Sequence, residues 1–140
     1  MFRRVILGTR SHISRLNNVR FLNQDMNETS RIEKCVNSVT LLGRVGASPQ
    51  KRGTTEHPVV IFSLATHTNY KDETGDFMQK TDWHKICVFR PNLRDSVYQF
   101  LRKGQRVMVN GRLSYSEFKD DEGNSRPSTA VIADDVIFFQ

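Results

Sequence analysis

Residues 83–89 have the sequence Trp-His-Lys-Ile-Cys-Val-Phe, in which two kinds of side chain alternate. Successive side chains of a β-strand point to opposite faces, so Ile86 and Val88 share one face with His84. The opposite face carries Trp83, Lys85, Cys87 and Phe89. One face suits a hydrophobic core, and the other combines two aromatic rings with an ammonium group. The pattern predicts a strand with one buried face and one exposed, aromatic face.

A helix is predicted directly after this strand. Its apolar stripe, at helical spacing, consists of Leu93, Val97, Phe100 and Leu101. Asn92 is expected to cap the N-terminus, with Asp95 at the third helical position as in a capping box. Gly104 suits the left-handed backbone position that ends many helices.

Four further strands complete the predicted domain. They cover residues 39–45, 59–66, 106–118 and 128–139. A loop is expected over residues 46–58, and acidic turns are expected at 72–75 and 120–124. The order β-β-β-α-β-β, with the helix between strands three and four, matches the five-stranded Greek-key barrel known as the OB fold. We therefore expect an all-β domain with one helix over residues 34–139.

The N-terminal arm, residues 1–24, holds five arginines and no acidic residue. The formal charge of the chain is +6, so the remaining residues contribute only +1. An acid-free, arginine-rich segment with serines and an amphipathic pattern is typical of a mitochondrial transit peptide. We expect such a peptide, cleaved between residues 15 and 30, and a location in the mitochondrial matrix. The alternative is a disordered basic arm that binds nucleic acid.

Several classes of protein are excluded by what the sequence lacks. No apolar run exceeds four residues, as at 59–62, so we expect no membrane-spanning helix. Cys35 and Cys87 provide neither a disulfide framework nor a four-cysteine zinc site, and the histidines lack metal-ligand spacing. No phosphate loop or nucleophile elbow is present. We therefore expect no enzymatic activity, no metal and no cofactor.

The aromatic residues of the exposed face favour nucleic-acid binding. Bases stack on flat rings whatever their identity, and basic side chains neutralise phosphates. Trp83 and Phe89 fit this function best, whereas for Tyr70 and Phe118 the pattern alone favours neither binding nor packing. The basic residues that stand beside these rings are Lys71, Lys85, Arg112 and Lys119. Core packing or a subunit contact is the alternative for each ring, and is assigned to Tyr98, Phe100 and Phe138.

Several motifs resemble the bacterial-type single-stranded-DNA-binding protein family. They lie at residues 69–72, 79–85, 88–89, 98–104 and 107–113, in order and at compatible spacing. The first four residues, Met-Phe-Arg-Arg, and residues 89–95, Phe-Arg-Pro-Asn-Leu-Arg-Asp, are similar to the mitochondrial branch of that family. The resemblance covers roughly residues 34–139.

The resemblance implies a homotetramer of OB folds that coats single-stranded DNA during mitochondrial DNA replication and maintenance, in the matrix nucleoid. The base-stacking positions of the family fall on Tyr70, Trp83, Phe89 and Phe118. Lys85 occupies the family's basic position after Trp-His, and His84 falls where the family places a histidine at the subunit interface. The replication polymerase and helicase are candidate protein partners.

The chain departs from the bacterial pattern at its C-terminus. Bacterial members continue into a disordered tail with an acidic tip, whereas this sequence stops at Phe138-Phe139-Gln140, so tail-mediated recruitment is not expected. Two other functions remain open. An RNA-binding OB module fits the same residues, because stacking faces do not distinguish sugar types. An OB adaptor that binds only protein is the third possibility.

Overall fold

Six strands and one helix make up the fold in the computed structural model, which describes residues 32–140. The elements are β1 (Val39–Val45), β2 (Gln50–Gly53), β3 (Pro58–Lys71), β4 (Phe77–Val88), α1 (Pro91–Phe100), β5 (Arg106–Lys119) and β6 (Ser125–Phe138). The predicted transit peptide, residues 1–24, lies outside the described residues and stays a prediction. Within residues 32–140, no helix combines the length and the apolar character needed to cross a bilayer.

Five of the strands close into a barrel. They are ordered β1-β5-β6-β4-β3, and β1 also pairs with β3 through Arg44–Ala65 and Val45–Leu64. The β4–β6 pairing is parallel, and the other pairings are antiparallel. The helix lies between the third and fourth barrel strands. The predicted five-stranded OB barrel with one helix is therefore confirmed.

Strand β2 was not predicted, since its residues fall in the segment expected to be a loop. It pairs only with β3, from Gln50 opposite Ile61 to Gly53 opposite Pro58. All four of its residues are exposed. A short edge strand without a buried face is held mainly by backbone hydrogen bonds, so its sequence, Gln-Lys-Arg-Gly, carries no apolar alternation.

The core lies inside the barrel and follows the predicted alternation. Val60, Phe62 and Leu64 of β3 face Ile86 and Val88 of β4, and all five are at most 3% exposed. Two side chains of the helical segment, Val97 and Leu101, are fully buried in the same cluster. Full burial of one such side chain stabilises a fold by about 1.5–3 kcal/mol. The helix therefore packs on the barrel by the predicted apolar stripe, except for Phe100, which is 61% exposed.

The helix begins two residues earlier than the capping pattern predicts. Arg90 is the N-cap, Pro91 is the first helical residue, and no side chain caps the N-terminus. The expected Asn92 cap is therefore wrong. Proline favours the first helical position, because its ring fixes a helical φ and its missing N–H would be unpaired there anyway. Gly104 does have a left-handed φ of 82°, but it lies in the turn that leads into β5, and its N–H donates to the Val45 carbonyl.

Two hairpins extend from the barrel as two-stranded ribbons. We call residues 67–81 the β3–β4 arm and residues 112–130 the β5–β6 arm, because these residues pair only within their own hairpin. Both strands of each hairpin run longer than predicted. The β3–β4 arm encloses no core, so its sequence is polar and lacks the alternation from which a strand is recognised.

The same turn design closes both arms, as the acidic turn patterns predict. In each, an aspartate opens the turn and a glycine with positive φ stands three residues later: Asp72 with Gly75, and Asp120 with Gly123. Oδ1 of Asp72 accepts hydrogen bonds from the hydroxyl and backbone N–H of Thr74. These bonds and others from the turn backbone lower the pKa of Asp72. The ion pair with Arg126, at 3.0 Å, and turn backbone bonds lower the pKa of Asp120.

Candidate nucleic-acid interface

All four aromatic residues predicted to stack on bases have exposed side chains. The exposed fractions are 62% for Trp83, 53% for Phe118, 48% for Tyr70 and 47% for Phe89. None of the four belongs to the buried cluster inside the barrel. The rings are therefore free of a packing role in the core and accessible to a ligand.

Trp83 is held against the backbone of the loop that follows β1. A Cβ built on Gly46 would overlap Cζ3 of the Trp83 indole and would lie 3.0 Å from its Cη2. The absence of a side chain at residue 46 thus lets the ring edge rest on the loop, while the ring keeps an open surface. A ring fixed in this way loses little conformational freedom when a ligand stacks on it.

Trp83 and Lys85 border two clefts beside strand β4. One, of about 370 Å³, lies toward β2 and β3 and is also lined by Gln50 and Ile61. The other, of about 130 Å³, lies toward β5 and β6 and includes Leu113. Because Trp83 and Lys85 are two residues apart on one strand, a planar apolar surface and a positive charge occupy the same face.

The register of the β3–β4 hairpin determines which predicted residues share that face. Lys71 pairs with Phe77, and Trp83 pairs with Ala65, so Lys71 and Phe77 belong to the same alternate set as Trp83 and Lys85. Tyr70 belongs to the other set. The structure therefore places Lys71 on the same face as Trp83 and Lys85, though further out along the hairpin, and it places Tyr70 on the opposite face.

Cys87 differs from the exposed position that alternation assigns to it. It pairs with Ile61 of β3 on one side and Ile132 of β6 on the other, and is only 7% exposed. A small side chain between two larger neighbours is covered even on the outer face of a sheet. Desolvation raises the pKa of the Cys87 thiol, and the nearby charge of Lys85 opposes that effect.

The remaining predicted contacts lie after β4 and on the β5–β6 arm. Phe89 directly follows the last residue of β4, and Phe118 and Lys119 stand beside the turn that closes the arm. Arg112 shares the alternate set of Phe118 on β5. Its guanidinium donates a hydrogen bond to Oδ1 of Asp134 at 3.1 Å, so part of its charge is already neutralised.

His84, the predicted interface residue, lies on the face opposite Trp83. Its Nε2 is 2.8 Å from the hydroxyl oxygen of Thr66, and its side chain is half-buried. Within the described chain this bond orients the ring. A role at a subunit interface stays a prediction.

Further aromatic side chains are exposed in the structure. Phe77 is 79% exposed, and Tyr115, which alternation places with the core set, is 73% exposed because it lies on the β5–β6 arm. Core packing is wrong for Tyr98 and Phe100, which are 44% and 61% exposed, and a subunit contact stays a prediction for them, whereas Phe138 does pack against the core. The pairing of Phe77 with Lys71 follows from the register of the hairpin and was not predicted.

Charge on the described chain is nearly balanced. Residues 32–140 hold 15 Lys and Arg against 13 Asp and Glu. Within the same range, no group of three or more His, Cys, Asp or Glu is arranged to hold a metal ion. Any attraction for a polyanion therefore depends on where individual basic residues lie, and not on a large net charge.

The sequence matches a known protein family and named members of it. The profile described as the single-strand binding protein family matches residues 36–139. The chain is 61% identical over 111 residues to the single-stranded DNA-binding protein, mitochondrial, of Drosophila melanogaster, covering 79% of this chain and 76% of the relative. It is 44% identical over 115 residues to the protein of the same name from Rattus norvegicus, covering 77% and 76%.

A solved structure has the same fold. It is described as the Plasmodium falciparum SSB complex with ssDNA, and it superimposes with a TM-score of 0.69 at 35% sequence identity. The match covers 78% of this chain and 99% of that chain. The barrel, its exposed aromatic face and the sequence match together show that this chain belongs to the single-strand binding protein family.

Proposed function

We propose that this chain binds and coats single-stranded DNA without sequence specificity, in the mitochondrion. The observation that carries the proposal is the exposed Trp83 ring, fixed against Gly46 and flanked by Lys85, in a chain of this family. The Drosophila and rat relatives are named mitochondrial single-stranded DNA-binding proteins. The activity is binding and not catalysis.

Stacking supplies most of the affinity in this proposal. A stacked base is worth about 1–3 kcal/mol by alanine substitution, with little dependence on base identity. Phosphate contacts add an electrostatic contribution that weakens as salt rises. The basic residues proposed for it are Lys71, Lys85, Arg112 and Lys119, of which Arg112 is already paired with Asp134. A nearly neutral domain with exposed rings is expected to show a shallow salt dependence.

The path proposed for the DNA strand follows from the positions of the four aromatic rings. Trp83 and Tyr70 lie on opposite faces of the β3–β4 hairpin. Single-stranded DNA that stacks on both rings must therefore bend around the β3–β4 arm. Phe89 and Phe118 extend the path of the DNA along β4 and the β5–β6 arm. Wrapping around a protruding hairpin lets a small domain engage several bases at once.

Self-association into a homotetramer is part of the proposal. Leu42, Met108 and Ile137 are register partners across β1, β5 and β6, and form an apolar row on the outer face of the sheet. Leu42 and Ile137 are 44% and 40% exposed. A second copy of the chain would cover this row, and the His84 ring is the proposed contact at another interface. Action in the matrix nucleoid, with the replication polymerase and helicase as partners, completes the proposal.

The test is a fluorescence titration that uses Trp83, the single tryptophan of the chain. Adding poly(dT) should quench its emission, since stacking brings a base against the indole. A parallel titration with poly(U) separates DNA binding from an RNA-binding function, because preference for poly(U) would favour RNA. Absence of salt-sensitive binding to either polymer would contradict the proposal and favour a protein adaptor.

A further inference from the structure

We propose that Phe77 and Lys71 form an additional base-stacking position near the tip of the β3–β4 arm. This inference rests on the proposed function, because it extends the same single-stranded DNA path by one ring. Neither residue pattern nor family resemblance assigns Phe77 to the binding surface. Its support comes from exposure, pairing and the geometry of the arm.

Phe77 is the most exposed aromatic side chain of the described residues, at 79%. It is the first residue of β4 and lies beside the turn that closes the arm. Phenylalanine has no polar group that would gain from contact with water, so this exposure leaves nearly a whole ring of apolar surface uncovered. A single exposed ring needs no explanation by itself. The contact with Lys71 is what distinguishes this one.

Lys71 stands directly opposite Phe77 in the hairpin register. Its Nζ lies 4.9 Å from the centroid of the Phe77 ring, within the distance of about 6 Å for a cation–π interaction. The ammonium group thus covers one face of the ring and leaves the other face open. A base stacked on the open face would place its phosphate within reach of a positive charge.

The acidic residues of the adjoining turn leave Lys71 available. Among the described residues, Lys71 takes part in no ion pair. Oδ1 of Asp72 is occupied by hydrogen bonds from Thr74 and from the N–H of Asp76. The carboxylate nearest in sequence to Lys71 therefore serves the turn.

The position of Phe77 also fits the path proposed for the DNA. Phe77 and Trp83 belong to the same alternate set of β4 and are six residues apart, which is about 20 Å along a strand. Tyr70 lies near the same tip on the opposite face. A DNA strand that leaves Trp83 and bends around the arm toward Tyr70 passes Phe77 where it crosses from one face of the arm to the other.

The experiment moves the tryptophan reporter to residue 77. In the double variant Trp83→Phe, Phe77→Trp, the indole at residue 77 is the only tryptophan, so its quenching by a long thymine oligomer reports stacking there. We expect clear quenching, and a weaker response when Lys71→Ala is added. A matched control, Trp83→Phe with Phe100→Trp, puts the reporter on helix α1 at a similarly exposed position, where little quenching is expected.

A second measurement uses the native tryptophan. Phe77→Ala should weaken binding of a long oligomer about fivefold or more, and should affect much less an oligomer too short to reach from Trp83 to the tip. Since residue 77 is exposed, the melting temperature should stay unchanged. If wild-type Trp83 is quenched but the indole at 77 is not, and Phe77→Ala binds within twofold of wild type, the inference fails and the proposed function stands. If wild-type Trp83 shows no response and no DNA is bound, both fail.

Discussion

The indole of Trp83 rests on the backbone of Gly46, at a distance that leaves no room for a β-carbon on residue 46. The two residues belong to separate parts of the barrel, the end of β1 and the outer face of β4. Their contact orients the central ring of the proposed DNA surface. We therefore expect the affinity for DNA to depend on a residue that carries no side chain.

Substituting Gly46→Ala tests this dependence. The added methyl would overlap the indole and approach Oγ of Ser63 to 2.8 Å, so the ring must shift. We expect a change in the tryptophan emission of the free protein and a several-fold loss of affinity for single-stranded DNA. Ala47→Ser, at the next and exposed position, is the control and should bind as wild type. Equal affinities for both variants would show that the contact does not orient the ring.

Acid should loosen the arms before it affects the barrel. The folded pKa values of Asp72 and Asp120 are both lowered from 3.8 by turn hydrogen bonds and, for Asp120, by Arg126. A lowered pKa contributes stability that is present above the unfolded value and is lost as pH falls through the folded value. Hydrogen exchange at residues 122 and 124 should therefore accelerate below about pH 3.8 relative to neutral pH, after correction for intrinsic rates.

The control for this prediction removes the ionisable group. Asp120→Asn should show weakened protection of the β5–β6 turn already at neutral pH, with little further change on acidification. The turn of the β3–β4 arm, which keeps Asp72, should behave as in wild type. Uniform loss of protection across barrel and arms would contradict a local effect of the turn carboxylates.

The apolar row on β1, β5 and β6 predicts how assembly can be broken. Ile137→Glu places a charge in the apolar row that a second copy would cover, and an uncompensated buried charge is strongly unfavourable. We expect smaller species by sedimentation equilibrium at micromolar concentration, with the barrel still folded because Ile137 is 40% exposed in the single chain. Ile137→Val is the control and should assemble normally. Unchanged assembly of Ile137→Glu would place the subunit interface elsewhere.

The sequence predicted the parts of the fold whose side chains meet a core. Val60, Phe62 and Leu64 alternate on one strand and Ile86 and Val88 on the next, and each is buried. Burial of one face imposes a period of two on the sequence, and that period can be read without a structure. The helix was recognised for the same reason, from a stripe that packs on the barrel.

The sequence did not predict the strands that are held by backbone pairing alone. Strand β2 and the β3–β4 arm bury no face, so their polar sequences resemble loops. The apolar alternation of β5 continues past the end of the core and assigns Tyr115 to the buried set. Tyr115 is exposed because the hairpin has no core at that point. Pairing of Lys71 with Phe77 required the register of the hairpin, which follows from the exact turn and not from composition.

The central claim is that stacking on Trp83, more than phosphate binding, holds the DNA. The measurement is the affinity for a thymine oligomer across a salt series, made with Trp83→Ala and with Lys85→Ala. Trp83→Ala should weaken binding by about 1–3 kcal/mol at every salt concentration and leave the salt slope unchanged. Lys85→Ala should reduce the slope by about 0.7 for each phosphate that the lysine neutralises in the wild type, and should matter little at high salt. Intact affinity of Trp83→Ala at all salt concentrations, with an effect only on folding or assembly, would contradict the account.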